Sequence, residues 1–513
     1  MNSPGSRNTI VIPVAAALMV RPARGKFFLS SIGFGGGGEG GAKRGVRAVV
    51  AWHNKPSRLS AMQWEDSSDP YRFAFGLLYL FTLLLYARPN DLIPAMGTFP
   101  LAKIVAIVAP LAYIYAQYKL GMPIINWTIE VKMVIVMLFL AIVFTPIAVS
   151  PSDSSAALSE TFIKSVIIFI LIIGVVNTRE RLRAINKLTV LCGTCLAVFA
   201  IKNYATGNFT LKGQRIEGLV GGMFGNPNDL AAALNMLIPM AVALALMSAR
   251  AMRLLYAVCA LLLVCGVVVT FSRAGFITLA AVSVVMLWKF GRGSRSSMTL
   301  ATLAAFVLLL SVFSGAYRSR LSTIFDPNSD PSGSSQQRVA LLERGLDLIH
   351  RHPIVGIGMG NFHIYSIQEK AAHNGYVETA AELGLIGLLA YLIIILAPLR
   401  GLAKIEMETL KHGSRNDPDA KYLSIGLQSV LIAYMVCSFF ASIQYVWYIY
   451  YPAGFAVALR LIYAAEKGAQ VNEGKAARPP YQPQLFGNLW KSPPRKHAGI
   501  LWPAYRFLEP PHG

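Results

Sequence analysis

From Tyr71 onward the chain alternates long apolar runs with short polar connections. The runs are about 16 to 22 residues long, which a helix rising 1.5 Å per residue needs to cross roughly 30 Å of hydrocarbon. Twelve can be marked, over residues 72–87, 101–117, 132–149, 162–177, 185–204, 228–248, 252–271, 274–290, 298–315, 383–399, 422–441 and 445–464. The pattern predicts an all-α integral membrane protein with about twelve transmembrane helices. One connection breaks the rhythm: residues 316–382 form a single large loop, and connections of that length are commonly functional.

This loop has a periodicity of its own. Ser334 and Gln337 have capping-box spacing, and Val339, Leu342, Leu346 and Ile349 then share one helical face, ending at His350, Arg351, His352 and Pro353. The glycines of HPIVGIGMGNF, residues 352–362, suit a tight turn. The large loop is therefore expected to be partly helical: a helix, a glycine turn, then HNGYVETAAELGLIG, residues 373–387, which runs into the tenth apolar segment.

Basic residues in short connections mark the cytoplasmic side of a membrane protein. Arg179, Arg181, Arg183 and Lys187 follow the fourth run, Arg250 and Arg253 the sixth, and Lys289, Arg292 and Arg295 the eighth. Arg400, Lys404, Lys411, Arg415 and Lys421 follow the tenth, whereas SPSDSSAALSE after the third has no basic residue. Both termini are thus expected inside, with the odd-numbered connections outside. Three regions follow. Residues 1–70, basic and glycine-rich, read as a disordered cytoplasmic extension or as sequence upstream of a start at Met62; 71–465 is the polytopic domain; 466–513 is a disordered basic cytoplasmic tail.

Composition agrees with a bilayer as the first partner. Of 513 residues 55% are hydrophobic and 14% charged, with mean hydropathy +0.51, more apolar surface than one soluble core buries. A formal charge of +22 would suggest nucleic acid in a soluble chain, but here the excess lies in connections and tails and reports on orientation, so no nucleic-acid partner is expected. Cys192, Cys195, Cys259, Cys265 and Cys437 all lie in apolar runs and read as packing residues. No Cys, His and acid cluster has metal-ligand spacing, so neither metal nor cofactor is expected. The apolar runs carry almost no ionisable side chain near their centres, which removes the main support for an ion-coupled transporter.

Polar chemistry gathers instead in the outer connections. Arg273, in TFSRAGF, sits on the side that the basic bias disfavours. It is either snorkelling to headgroups or presenting a planar fork to phosphate oxygens. Lys212 and Arg215 lie in the connection 205–227, which ends in Asn226-Pro227-Asn228-Asp229; Asn228 or Asp229 is a natural helix cap. Arg215 with Arg273 could share the charge on a leaving diphosphate. His373 could accept a proton from an attacking hydroxyl, or be a structural residue at a wet helix start. Asn374 beside it, Tyr376 one turn along, and Glu378 and Glu382, which could orient the imidazole or pair with an arginine, complete the candidate set together with Asn226.

Taken together, SRAG at a turn, GNPND before a span, RVALLERGLDLIHRHPIVGIGMGNF in the outer loop and HNGYVETAAELGLIGLLAYL resemble the O-antigen ligase and polymerase superfamily over roughly residues 72–464. The resemblance implies a multi-pass protein of the bacterial inner membrane with a periplasmic active site. It also implies metal-independent transfer of a glycan from an undecaprenyl-diphosphate carrier to a glycan, lipid A core or protein hydroxyl. On that resemblance His373 matches the histidine proposed to activate the acceptor, and Arg273 and Arg215 match the arginines proposed to hold the diphosphate. An O-antigen or exopolysaccharide polymerase and a protein O-oligosaccharyltransferase differ only in acceptor. A lipid-linked glycan transporter or flippase is the competitor of another class, and an inert scaffold a third.

Overall fold

The computed structural model describes residues 69–88, 101–210, 215–216, 224–290, 333–366, 369–411 and 417–476. The expectations for residues 1–68, for the apolar run 298–315 and for the tail beyond 476 lie outside the described residues. The other eleven runs are all helices. They are α1 (Arg72–Ala87), α2 (Leu101–Leu120), α3 (Ile129–Phe144), then α4 (Pro151–Ala156), which passes through a π-helical turn (Ala157–Phe162) into α5 (Ile163–Val175). There follow α6 (Arg179–Ala205), α7 (Pro227–Met247), α8 (Arg250–Val269) and α9 (Arg273–Phe290). The outer loop contributes α10 (Ser334–Arg351) and the single turn α11 (Phe362–Tyr365), before α12 (Gly375–Lys411), α13 (Pro418–Ser438) and α14 (Trp447–Ala476). Among the described residues nine helical segments are long and apolar enough to cross a membrane, and α1 is a shorter apolar helix. The described strands are the two-residue pair β1 (Phe209–Thr210) and β2 (Arg215–Ile216), antiparallel with Thr210 opposite Arg215.

Two boundaries differ from the sequence pattern. α14 continues past residue 465 to Ala476, so the start of the expected tail is helical. α12 begins at Gly375, well before the predicted span, and is broken at Gly384, where φ is 70° and ψ −178°. A Cβ there would lie 2.1 Å from the Ile354 carbonyl oxygen, so the break needs both the backbone freedom and the bare α-carbon of glycine.

α7 is the centre of the bundle: 83% of its apolar stretch is buried, against 28% for the rim helix α2. Its sequence PNDLAAALNMLIPMAVALALM is apolar on every side and rich in alanine, which lets neighbouring backbones approach closely. Gly275 of α9 packs on Ala231 and Gly426 of α13 on Ala243, at separations that leave no room for a methyl group on either glycine.

One end of the bundle is closed by ion pairs. Arg179 at the start of α6 bonds Asp417 at 2.6 and 2.7 Å and also Glu466, while Arg183 meets Asp419 and Arg181 meets Asp69. Buried Lys289 bonds Glu406 at 2.7 Å and Gln428 at 2.8 Å, and Arg460 forks onto fully buried Glu130 at 2.7 Å twice. These pairs join the start of α1, α3, α6 and α13 to the far ends of α9, α12 and α14, so the helices alternate in direction as the connections predicted. The opposite end carries α4, the α8–α9 turn, α10, the glycine loop and the start of α12.

Candidate functional site

The site is built from the α8–α9 turn inward. Ser272 accepts from the Gly275 amide at 3.1 Å, finishing the first turn of α9, and its hydroxyl donates to Asn228 Oδ1 at 2.8 Å. Asn235 on α7 adds a bond from Nδ2 to the Gly275 carbonyl at 3.0 Å. SRAG and GNPND are therefore one packed unit. The cap of α7 is Asn226, whose Oδ1 accepts from the Asn228 amide at 2.9 Å; the expected caps are otherwise engaged, Asn228 with Ser272 and Asp229 lending its carbonyl to Tyr448. Braced this way, Arg273 as first residue of α9 donates from Nη1 to Ser335 Oγ on α10 at 3.0 Å.

α10 starts at Ser334, so Gly333 rather than Ser334 takes the N-cap position. Gln337 instead accepts from Lys370 Nζ at 3.0 Å. The apolar face read from the periodicity is only partly the one that packs, through Ile349. Leu341 and Leu348 are buried with Ile357, Phe362, Ala372 and Ala381, and Gly345 lies so close to Val377 that a Cβ would sit 2.3 Å from Cγ1. Val339, Leu342 and Leu346 are exposed.

The glycine loop then locks onto α12. Gly356, Gly358 and Gly360 all have positive φ, and the Ile357 and Gly358 amides donate to the carbonyls of Ala381 and Glu382 at 2.9 and 3.0 Å. Glu382, 1% exposed, accepts from the Phe362 amide at 3.1 Å. Its Oε2 faces the Tyr445 hydroxyl, yet neither atom completes a well-formed bond. Glu378, one turn earlier and also buried, accepts from the Ala372 amide at 2.8 Å, from Gln444 Nε2 at 3.0 Å and from Ser442 Oγ. It thus ties the residue before His373 to the α13–α14 connection.

His373 is half-buried and has φ 52°, the left-handed region that non-glycine residues seldom occupy. Its strain is held from both sides: Glu378 grips Ala372, and Asn374 caps α12 by accepting from the Tyr376 and Val377 amides at 3.1 and 3.2 Å. Burial lowers the imidazole pKa from its ordinary value, and the charges of Arg338 and Lys370 lower it further. A proton is therefore disfavoured on the resting ring, as a proton acceptor requires.

Of the sequence-predicted residues, Arg273 is brought to the first turn of α10 through Ser335, and His373 feels the charge of Arg338 in its second turn. The others take bracing positions. Asn226 and Asn374 are helix caps, Glu378 grips backbone rather than the imidazole, and Tyr376 donates to the Met435 carbonyl at 2.9 Å inside the bundle. Arg215 occupies β2 opposite Thr210, and its side chain lies outside the described residues. Sequence reasoning missed Arg338, Lys370, Ser442, Gln444 and Tyr445. Arg338 had one available signal: a cation near the start of a helix opposes the macrodipole and asks for a reason.

Residues 257–392 match the family model described as O-Antigen ligase. The match runs from α8 through the Arg273 turn, α10 and the glycine loop to α12, so it includes both Arg273 and His373 and excludes Arg215. This segment is thus similar to the O-antigen ligase family, which supports the O-antigen ligase and polymerase resemblance and a glycosyltransferase-like enzyme, and the long apolar helices fit a membrane protein. No curated protein matches the chain.

Proposed function

We propose that this protein transfers a glycan from an undecaprenyl-diphosphate carrier to an acceptor hydroxyl, in the manner of an O-antigen ligase, during assembly of a surface polysaccharide. The acceptor oxygen attacks the anomeric carbon of the lipid-linked sugar as His373 takes its proton. The bond from that carbon to the diphosphate oxygen breaks, and the carrier diphosphate leaves with the electron pair. A single displacement of this kind inverts the anomeric centre. Arg273 and Arg215 hold the diphosphate, and Arg338 and Lys370 add positive charge around the reacting groups. Asn226, Asn374 and Glu378 position these elements, and Tyr376 anchors the start of α12. The site lies on the periplasmic side of the bacterial inner membrane, with both termini cytoplasmic.

The observation that carries the proposal is the convergence on α10. Residues far apart in the chain converge on its start: Arg273 bonds Ser335, Lys370 bonds Gln337, and the charges of Arg338 and Lys370 act on His373. A cationic corner beside an imidazole that resists protonation suits departure of an anion and removal of a hydroxyl proton in one step. The test is reconstitution with undecaprenyl-linked oligosaccharide and a candidate acceptor. His373→Ala is expected to lower transfer by roughly 10²- to 10⁴-fold, the usual contribution of a general base, with the protein still inserted in the membrane. Retained transfer would remove His373 from the mechanism, and carrier movement without a new glycosidic bond would make the protein a flippase. The glycan profile of a deletion strain separates acceptors: chains missing from the core indicate a ligase, single-repeat chains a polymerase.

A further inference from the structure

Among the described residues, α10 carries an exposed apolar flank. Its buried face is Leu341, Gly345 and Leu348, which seats it on the first turns of α12. On one side of that seam lie Val339, Leu342 and Leu346, 53%, 37% and 54% exposed. On the other side are Gln336, Glu343, Asp347 and Arg351, with Arg351 Nε bonded to Asp347 Oδ1 at 2.8 Å. Towards the start of α10 this flank carries Ser335 and Arg338, which meet the site, and its exposed apolar part runs from Val339 to Leu346.

The apolar flank continues into the surface that faces lipid. Immediately after α10, Ile354 and Val355 are exposed, and the Pro353 carbonyl accepts from the Leu385 amide at 2.8 Å. That bond places them at the level where α12 resumes beyond Gly384 with Leu385, Ile386 and Leu389, all exposed on a candidate membrane span. An exposed leucine there has hydrocarbon as its natural surroundings. His350 and His352 at the end of α10 are exposed at the same end of the helix, where headgroup phosphates would meet them.

We propose that α10 lies along the bilayer surface as an interfacial helix, with Val339, Leu342, Leu346 and Ile354 inserted at the boundary of headgroups and acyl chains and Glu343 and Asp347 turned to water. The partner is the lipid surface itself. Seated so, the first turns of α10, which meet Arg273 through Ser335, are held at headgroup depth, the level at which any membrane-anchored phosphate travels.

The test uses the full chain with its five cysteines replaced, single cysteines at Leu346, Val339 or Glu343, and an environment-sensitive fluorophore. The purified protein is reconstituted in phosphatidylethanolamine and phosphatidylglycerol vesicles whose acyl chains carry a nitroxide near the headgroup. Labels at Leu346 and Val339 should shift to the blue and be quenched several-fold more strongly than the label at Glu343. Equal, weak quenching at all three would show a water-exposed flank and overturn the proposal. A blue-shifted but unquenched label would overturn it too, because another segment of this chain or a second copy would then cover the face. Using two apolar positions guards against one variant failing to fold. None of these readings depends on glycan transfer, so the inference stands or falls apart from the proposed reaction.

Discussion

At one end of the bundle Arg179, Lys289 and Arg460 each meet a carboxylate within 2.7 Å, so buried charge is neutralised pair by pair. At the other end Glu378 and Glu382 are equally buried, but their hydrogen bonds come from backbone amides, a glutamine and a serine hydroxyl. The cations of that end, Arg338 and Lys370, act on an imidazole. Charges paired in a low-dielectric interior satisfy one another and specify how helices assemble. At the second end the buried acids instead shape backbone, gripping the Ala372 and Phe362 amides on either side of the His373 loop. The first end holds the helices together and, on the proposed function, the second carries the chemistry, so mutations should divide accordingly.

The largest effect is expected at the paired end. Glu406→Ala strands the Lys289 ammonium, 9% exposed, and should cost about 3–5 kcal/mol, whereas Lys289→Met with Glu406→Leu together should be close to neutral. Thermal unfolding in detergent reads both, and transfer per folded molecule should be unchanged. If the single variant instead lost transfer without losing stability, the division between the ends would fail.

Arg273→Ala should behave in the opposite way. Transfer is expected to drop on the order of a hundredfold, as when one preorganised charge-stabilising donor is lost, with the melting temperature nearly constant and Arg273→Lys only partly restoring the rate. Next in size is Glu378→Ala, which leaves the buried Ala372 amide and Gln444 without their acceptor and should cost about 1–3 kcal/mol. Because that amide precedes His373, transfer should fall as well, and Glu378→Gln should recover stability better than rate. Recovery of both together would reduce Glu378 to a packing residue.

The smallest effect concerns pH. The imidazole pKa is lowered in the fold, so the acid limb of the transfer rate should lie below the ordinary histidine range near 6.5. Arg338→Gln removes one of the lowering charges and should move that limb upward by a fraction of a pH unit; a downward move would contradict the assigned neighbours. The sign for stability is the same. The fold binds this proton less tightly than the unfolded chain does, so His373 stabilises above about pH 6.5 and that contribution is lost as the pH falls towards the lowered folded value.

Much of this was legible in the chain. Apolar run length located eleven helices, because only an internally bonded helix satisfies its backbone in lipid and the required length follows from the rise per residue. The basic connections predicted the alternation that the ion pairs at one end display. Arg273 and His373 stood out as a cation on the disfavoured side and an imidazole at a helix start. Which face of α10 packs inward was not legible, since periodicity reports where apolar residues lie but not how many surroundings can receive them. Leu341 and Leu348 took the protein side and Val339, Leu342 and Leu346 were left outside.

What the sequence alone determined is whatever depends on residues near one another: helix lengths, their alternating direction, the glycine turn and the two outstanding polar residues. Only the tertiary structure decided which distant residues meet. Ser335 receives Arg273, Gln337 receives Lys370, and Glu378 reaches across to Ser442 and Gln444. Those contacts follow from how α10 seats on α12 through Gly345 and how Gly384 breaks α12, and from close packing between helices whose partners the order of residues does not name.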